Sequence, residues 1–456
     1  MKRSRPRLAY RIRIRWTGGA CCSGSCRATR DDGRSAAGRP RREYRGARPR
    51  TALPAASINA RRPRLLALDC PAQSYDWGSA DAIPGFQGRQ PDGAPVAEVW
   101  IGTHPLGTAQ YVDADGVRRD LTEVAGELTF MLKVLAADRP LSIQAHPNAP
   151  RARAGYAAEE ERGVPMGAPE RVFKDPYPKP EMVYALSTFD TLVGFRPTAE
   201  ILRVLAPLEH PVTAALALQL RERPGFGGIV RLLEGLLVAP PSPTAVGEVV
   251  AQCRVALAEG IDIKRAYATA VEIADHHPGD VGVVISLLLN RLTLQPGEAA
   301  YLDAGIIHAH LSGLCLEVMV SSDNVLRAGL TSKHVDPEGL VLCLEEGMSR
   351  LARVTPQLFG TSTDVFSPSR EFALSVTQSS QPDGAGATLP HQGKRLLVCT
   401  GGEVTVLNRE GERLHLRRGE AAYADEGDGE LRVTGTGEVA QAYMPSGAAG
   451  RLDDLL

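Results

Sequence analysis

The sequence predicts a mainly β protein: two β-barrel units, with a helical segment inserted into the first. Three observations carry that expectation. From Leu314 to Val320 the residues alternate, with Leu314, Leu316, Val318 and Val320 on one face and Cys315, Glu317 and Met319 on the other, which is the two-residue period of a strand. The stretch Gly297-Glu298-Ala299-Ala300-Tyr301 recurs as Gly419-Glu420-Ala421-Ala422-Tyr423, an internal echo expected of two related barrel units. Between Arg196 and Asp280 the period changes. Apolar residues there recur at three- and four-residue spacing in Ala199–Leu208, Val212–Arg221, Ile229–Val238, Ala245–Ala258 and Ile263–Ala274. Gly and Pro punctuate these segments, as they do short amphipathic helices.

At 456 residues the chain allows several domains and ample buried core. Its net charge of −1 hides an asymmetry. Residues 1–64 hold 19 Lys+Arg against 3 Asp+Glu, a balance of +16, and the remainder holds 33 against 50, a balance of −17. The basic leader is rich in Arg, Gly, Ala, Pro and Ser and is expected to be disordered. A nucleic-acid-binding arm, an organelle transit peptide and upstream sequence translated from too early a start compete for it. No aromatic platform or folded motif accompanies the basic residues, and no cleavage signal is readable, so the third reading is preferred and no nucleic-acid partner is expected. No apolar run is long enough for a secretory signal or a membrane span, so no membrane partner is expected either. Of the 8 cysteines three lie in the leader, and the others show no C-x-x-C spacing. That pattern excludes a disulfide framework and a Cys-based zinc site, and it fits a reducing cytoplasm.

Taken in order, the folded chain begins near Leu65. A first β domain is expected over residues 65–195 with 281–350, a helical domain over 196–280, and a C-terminal β domain over 351–456. Trp77 and Trp100, each followed closely by Gly, read as core packing beside turns. A strand from Leu141 to His146 places Ser142, Gln144 and His146 on one face and Leu141, Ile143 and Ala145 on the other. Lys179 and Glu181 repeat that two-residue spacing. After the strand at Tyr301, Gly305 permits a sharp bend, and His308 and His310 follow as neighbours on one face. Glu317 is a carboxylate on an otherwise apolar strand face, where unpaired burial is costly. Arg327 and Lys333 come just beyond it. Such a constellation suggests a polar site inside a barrel; the competing local reading is a core histidine with a structural ion pair. After the second copy of the echo no histidine follows, only Asp425, Glu426 and Asp428. One unit alone is therefore expected to carry a site. Ser-His-Asp, Gly-rich phosphate-loop and dinucleotide patterns are not readable.

Gln144-Ala145-His146-Pro147, Lys179-Pro180-Glu181-Met182, Gly194-Phe195-Arg196-Pro197, His308-Ala309, Ser322-Asp323-Asn324 and Arg327-Ala328-Gly329-Leu330-Thr331 stand in this order. With them, residues 65–456 resemble the type I mannose-6-phosphate isomerases. That resemblance implies two cupin-like (jelly-roll) units, a helical domain, and one zinc ion per chain held by Gln144, His146, Glu181 and His308. It also implies that Arg327 is an active-site arginine. Glu317, Lys179 and Lys333 match further polar pocket residues, and Lys133 and Ser142 match residues that hold the substrate phosphate. Where the family has His-Ala-Tyr, this chain has His308-Ala309-His310, which makes His310 a rival to Glu317 for proton transfer, with a zinc-bound water as the third candidate. The implied activity is a zinc-dependent aldose–ketose isomerisation between mannose 6-phosphate and fructose 6-phosphate, in a cytoplasmic monomer. Two rivals remain: an inactive sugar-phosphate-binding protein, and a cupin-type metal oxygenase, which would also use two His and one carboxylate.

Overall fold

The computed structural model describes residues 65–346, 352–381, 386–390 and 393–445; the basic leader over residues 1–64 lies outside them. The described strands form two large antiparallel sheets, of 11 and 9 strands, and two short hairpins. The first sheet is built on His308–Val320. That strand pairs with Phe130–Ala137 on one side and Glu181–Ala185 on the other, and its His308 end meets Phe189–Phe195 and Gln144. The alternation read from the sequence is realised. Leu316, Val318 and Val320 pack with Leu396, Val398 and Ala440 of the second sheet in one buried cluster, whereas Glu317 and Met319 face an open cavity.

The echo has a local cause. In both copies the glycine takes a left-handed φ, 91° at Gly297 and 88° at Gly419, a conformation that costs glycine little. The following carboxylate then closes the turn. Glu298 accepts from the Gln295 N–H at 2.7 Å, and Glu420 accepts from the Arg417 N–H at 2.8 Å. Strands Ala299–Leu302 and Ala421–Ala424 emerge from the two turns.

Helices Thr198–Leu205, Pro211–Glu222, Phe226–Val238, Pro243–Ala258 and Ala266–His276 stand where the spacing placed them, with ends moved by a few residues. A further helix, Val281–Ser286, follows the expected limit at residue 280 because Asp280 caps it. The helical core includes the backs of the site strands. Ile143, Ala145, Ile307, Ala309, Leu326 and Ala328 pack with Leu220, Leu232 and Tyr267. Burial of that apolar area, at roughly 25 cal/mol per Å², is what holds the polar faces of the same strands toward the cavity.

The expected domain limits need correction at two places. Leu66–Leu68 pairs with Ala421–Ala424 and so joins the second sheet. The limit at 350–351 lies outside the described residues, yet Arg353 and Val354 beyond it pair with Ala300 and Ala299 of the first sheet. Strands of three and two residues carry no readable period, and their partners are chosen by tertiary packing. Among the described residues no helix is long and apolar enough to cross a membrane.

Candidate metal centre and substrate cavity

Four of the sequence-predicted residues meet where three strands converge. Gln144 sits opposite both His308 and Arg327 in the ladder, and Glu181 opens its strand opposite Met319. Gly305, at φ 86°, makes the bend that brings the loop before His308 against His146, and its N–H donates to the His146 carbonyl at 2.7 Å. As a result His146 Nε2 lies 3.3 Å from Glu181 Oε2, and His308 Nε2 lies 3.0 Å from Glu181 Oε1. The latter contact lacks hydrogen-bond geometry, so Glu181 Oε1 is a buried acceptor without a donor.

Both rings have their tautomers set from behind. His146 Nδ1–H donates to the Asn324 carbonyl at 2.7 Å, and His308 Nδ1–H donates to the Ile306 carbonyl at 2.9 Å. Each Nε2 therefore presents a lone pair to the carboxylate. Such acceptors converging within 4.8 Å, all buried, form the donor set of a divalent-cation site. The Gln144 amide nitrogen lies 3.4 Å from His308 Nε2, and turning the amide over presents its oxygen instead. The two imidazoles, carboxylate and amide fit zinc, which takes nitrogen and oxygen ligands in a four-coordinate set. The Lys179 ammonium joins them, 2.8 Å from Glu181 Oε2 and 3.0 Å from His146 Nε2. Burial, helped by the Lys179 charge, depresses the His146 pKa to about 4. For Glu181 burial acts the other way, but the Lys179 ammonium beside it works against burial, and the carboxyl is held well below its usual range.

A second group adjoins the first. Lys133 stands opposite both Glu317 and Trp100 in the sheet. Its ammonium lies 3.0 Å from Glu317 Oε2 and 3.6 Å from Glu98 Oε1. Burial opposes the Lys133 charge, yet the two carboxylates raise its pKa; in return Lys133 overcomes burial at Glu317 and brings that pKa down to about 2. His310 Nε2 lies 3.5 Å from Glu317 Oε1, too far for a good hydrogen bond, and is buried without a partner. Its Nδ1 is 3.2 Å from Thr191 Oγ1. Because that hydroxyl donates to the Ala309 carbonyl at 3.1 Å, the ring proton belongs on Nδ1 and the lone pair on Nε2.

These groups line a cavity of 990 Å³ together with Ser142, Arg327 and Lys333 at its rims. Burial alone lowers the Arg327 pKa, with no carboxylate contributing. Lys333 is lowered by burial and by the Arg327 charge, against a smaller pull from Asp76. Cations thus line the cavity at several depths, from the buried Lys133 and Lys179 to the exposed Lys333.

Sequence reasoning missed several groups. Trp100 is buried as expected, but its Nε1–H donates to Glu98 at 2.6 Å and its ring lies 5.5 Å from the Lys133 ammonium. The signal was present, since Glu98 and Trp100 are two apart on one strand face. Asp175 was missed too. It accepts from the Asp323 N–H at 2.9 Å and from Asn324 Nδ2 at 3.0 Å, fixing the loop whose carbonyl orients His146. A backbone acceptor leaves no mark in a sequence.

Comparisons with known proteins agree with this geometry. Residues 65–198 match the family model described as phosphomannose isomerase type I, catalytic domain. The chain is 34% identical over 394 residues to the mannose-6-phosphate isomerase of Escherichia coli, covering 81% of this chain and 97% of that one. It is 31% identical to mannose-6-phosphate isomerase 1 of Arabidopsis thaliana, over 75% of this chain and 85% of the relative. A solved structure of a zinc-bound mannose 6-phosphate isomerase superposes with a TM-score of 0.74 at 32% identity, covering 84% of this chain and 100% of the other.

Proposed function

The chain belongs to the type I phosphomannose isomerase family, and from that premise we propose that it interconverts mannose 6-phosphate and fructose 6-phosphate with the aid of zinc. The observation that carries this reading is the convergence of His146, Glu181 and His308 beside a cavity that Lys133, Lys179, Arg327 and Lys333 line. Those three residues, with Gln144, would hold the ion. When bound, zinc supplies Lewis-acid stabilisation of negative charge on the sugar oxygens.

The other residues divide the remaining tasks. Glu317, kept ionised by Lys133, is available at neutral pH to take the C2 proton of the open-chain aldose and return it to C1. His310 Nε2 faces the same space, placed to accept the hydroxyl proton that moves between O2 and O1. Arg327, permanently charged and without a carboxylate partner, answers the oxyanion character of the enediol. Lys179 keeps Glu181 ionised. Since the Lys133 ammonium is engaged by Glu317 and Glu98, the phosphate is assigned to Lys333, with Ser142 lining the same cavity.

The protein is read as a cytoplasmic monomer. The five described cysteines are all free, which suits a reducing compartment. A coupled assay on mannose 6-phosphate, run with and without a chelator, tests the reading. Turnover abolished by the chelator and restored by zinc is expected; turnover indifferent to the chelator refutes it.

A further inference from the structure

The helical segment showed no chemistry in the sequence, but one of its turns touches the ends of two paired strands that line the cavity. Between helices Ala266–His276 and Val281–Ser286, His277 Nε2–H donates to the Pro140 carbonyl at 3.0 Å, on the rim that leads into Ser142 and Gln144. Three residues later, Asp280 Oδ1 accepts from two donors. One is the Gly282 N–H at 2.7 Å, the cap of the second helix; the other is the Leu330 N–H at 2.9 Å, just past the strand that pairs with Ile143–Ala145. Leu330 is buried and holds φ at 55°, a left-handed conformation that a residue with a Cβ ordinarily avoids.

The fit around this contact is close. A Cβ on Gly329 would lie 2.9 Å from Gly282 Cα, and a Cβ on Gly282 would lie 2.7 Å from the Leu330 side chain. Arg327 is held separately, by its ladder position opposite Gln144. Thr331, Ser332 and Lys333, which follow Leu330 beyond the strand Leu326–Gly329 and line the cavity, have no such ladder.

We propose that this turn is a positioning element for the sugar phosphate: His277 and Asp280 brace the adjoining ends of two paired strands, and Asp280 holds Leu330 in its strained conformation so that Lys333 faces the substrate. The inference rests on the isomerase reading. A strained residue persists only where its surroundings over-determine it. Without the Asp280 acceptor, Leu330 relaxes and carries the Thr331–Lys333 segment away from the cavity.

Two substitutions separate this role from helix capping. Asp280→Asn keeps a carbonyl oxygen for both donors. Asp280→Ser caps a helix about as well, but its hydroxyl is too short to hold Leu330 as well. With zinc-loaded full-length protein and mannose 6-phosphate, Asp280→Asn keeps KM within about twofold of the parent, the tolerance expected when the acceptor is retained. Asp280→Ser raises KM about five- to tenfold, the effect of one lost hydrogen bond, with melting temperature and zinc content kept and kcat falling less. A parental KM in Asp280→Ser overturns the inference, as does a loss confined to kcat. Calorimetric titration with mannose 6-phosphate reads the same change as a Kd without turnover. A parent that binds but does not turn over breaks the isomerase reading; equal Kd values for parent and Asp280→Ser break this inference alone.

Discussion

The two β sheets begin their echoed strands in the same way and end them differently. After Tyr301 the chain passes through Gly305 to His308, and its polar side chains turn inward to meet those of Gln144, Glu181 and Glu317. After Tyr423 it passes into Asp425, whose side chain caps a short turn over Glu426–Asp428. Asp428, wholly buried, accepts from Asn408 Nδ2 at 2.9 Å and from the Asp425 N–H at 2.9 Å. Arg395 donates to the Gly429 and Asp425 carbonyls at 2.8 and 2.7 Å. Polar groups are thus buried in both sheets. In the second, Asp428 and Arg395 are spent on neighbours and on backbone, and the unpartnered Tyr423 OH and Gln441 Oε1 stand apart from any such cluster; in the first, the unpartnered Glu181 Oε1 and His310 Nε2 belong to groups of titratable side chains that converge within 4.8 Å. Convergence of titratable groups, rather than the number of buried polar residues or a single unpartnered atom, distinguishes the sheet that acts from the sheet that supports.

The largest test of that contrast removes a ligand. His308→Ala is expected to lose stoichiometric zinc and to lower turnover by about a thousandfold or more, since the ion carries several kcal/mol of transition-state stabilisation. Metal analysis beside the coupled assay decides it; full zinc content and turnover in the variant would sink the assignment. Next in size is Arg327→Ala. Here zinc content should be parental and kcat should fall about a hundredfold, as for the loss of one oxyanion-stabilising donor. A rise in KM alone would move Arg327 from the reacting carbons to the phosphate.

What could be read from the sequence followed one rule. Pairs two residues apart are local: the period of a strand turns His308 and His310 to one face, and Gln144 with His146 and Lys179 with Glu181 keep that spacing where a strand ends or begins. The helical segment was legible for the same reason, through its own period. Its bracing of the cavity was not, because Asp280 reaches Leu330 across 50 residues and bonds to a backbone N–H. Glu98 stayed hidden behind Trp100, whose bulk suggested packing alone. The strand Leu66–Leu68 has no period of its own and took its partner from the far end of the chain.

Asp175 lets the comparison be sharpened without touching a ligand. Its carboxylate holds Asp323 and Asn324, and the Asn324 carbonyl fixes the His146 tautomer. Partners of this kind typically govern metal affinity by about 10- to 100-fold. Asp175→Ala is therefore expected to weaken zinc binding by that order, measured by competition with a chromophoric chelator, and to regain most of its turnover in excess zinc. Parental zinc affinity would leave the loop with a structural role only.

The smallest expected effect on catalysis lies in the second sheet, and it is the sharpest test of the contrast. Asp428→Ala removes the acceptor for Asn408 and for the Asp425 N–H, and takes a negative charge from the neighbourhood of Arg395. The donors left behind are buried, and burial already pushes the Arg395 pKa down to about 10 with Asp428 opposing it. Stranding them should cost about 2–4 kcal/mol, within the range for buried polar partners and broken buried ion pairs. A melting temperature several degrees lower is expected. None of these groups lines the cavity, so zinc content, kcat and KM of the folded fraction should stay within about twofold of the parent, because distant independent sites do not couple. Thermal melting and steady-state kinetics on one preparation separate the two quantities. If kcat/KM instead fell tenfold with stability intact, the second sheet would belong to the active machinery, and the division of labour between the echoed strands would be wrong.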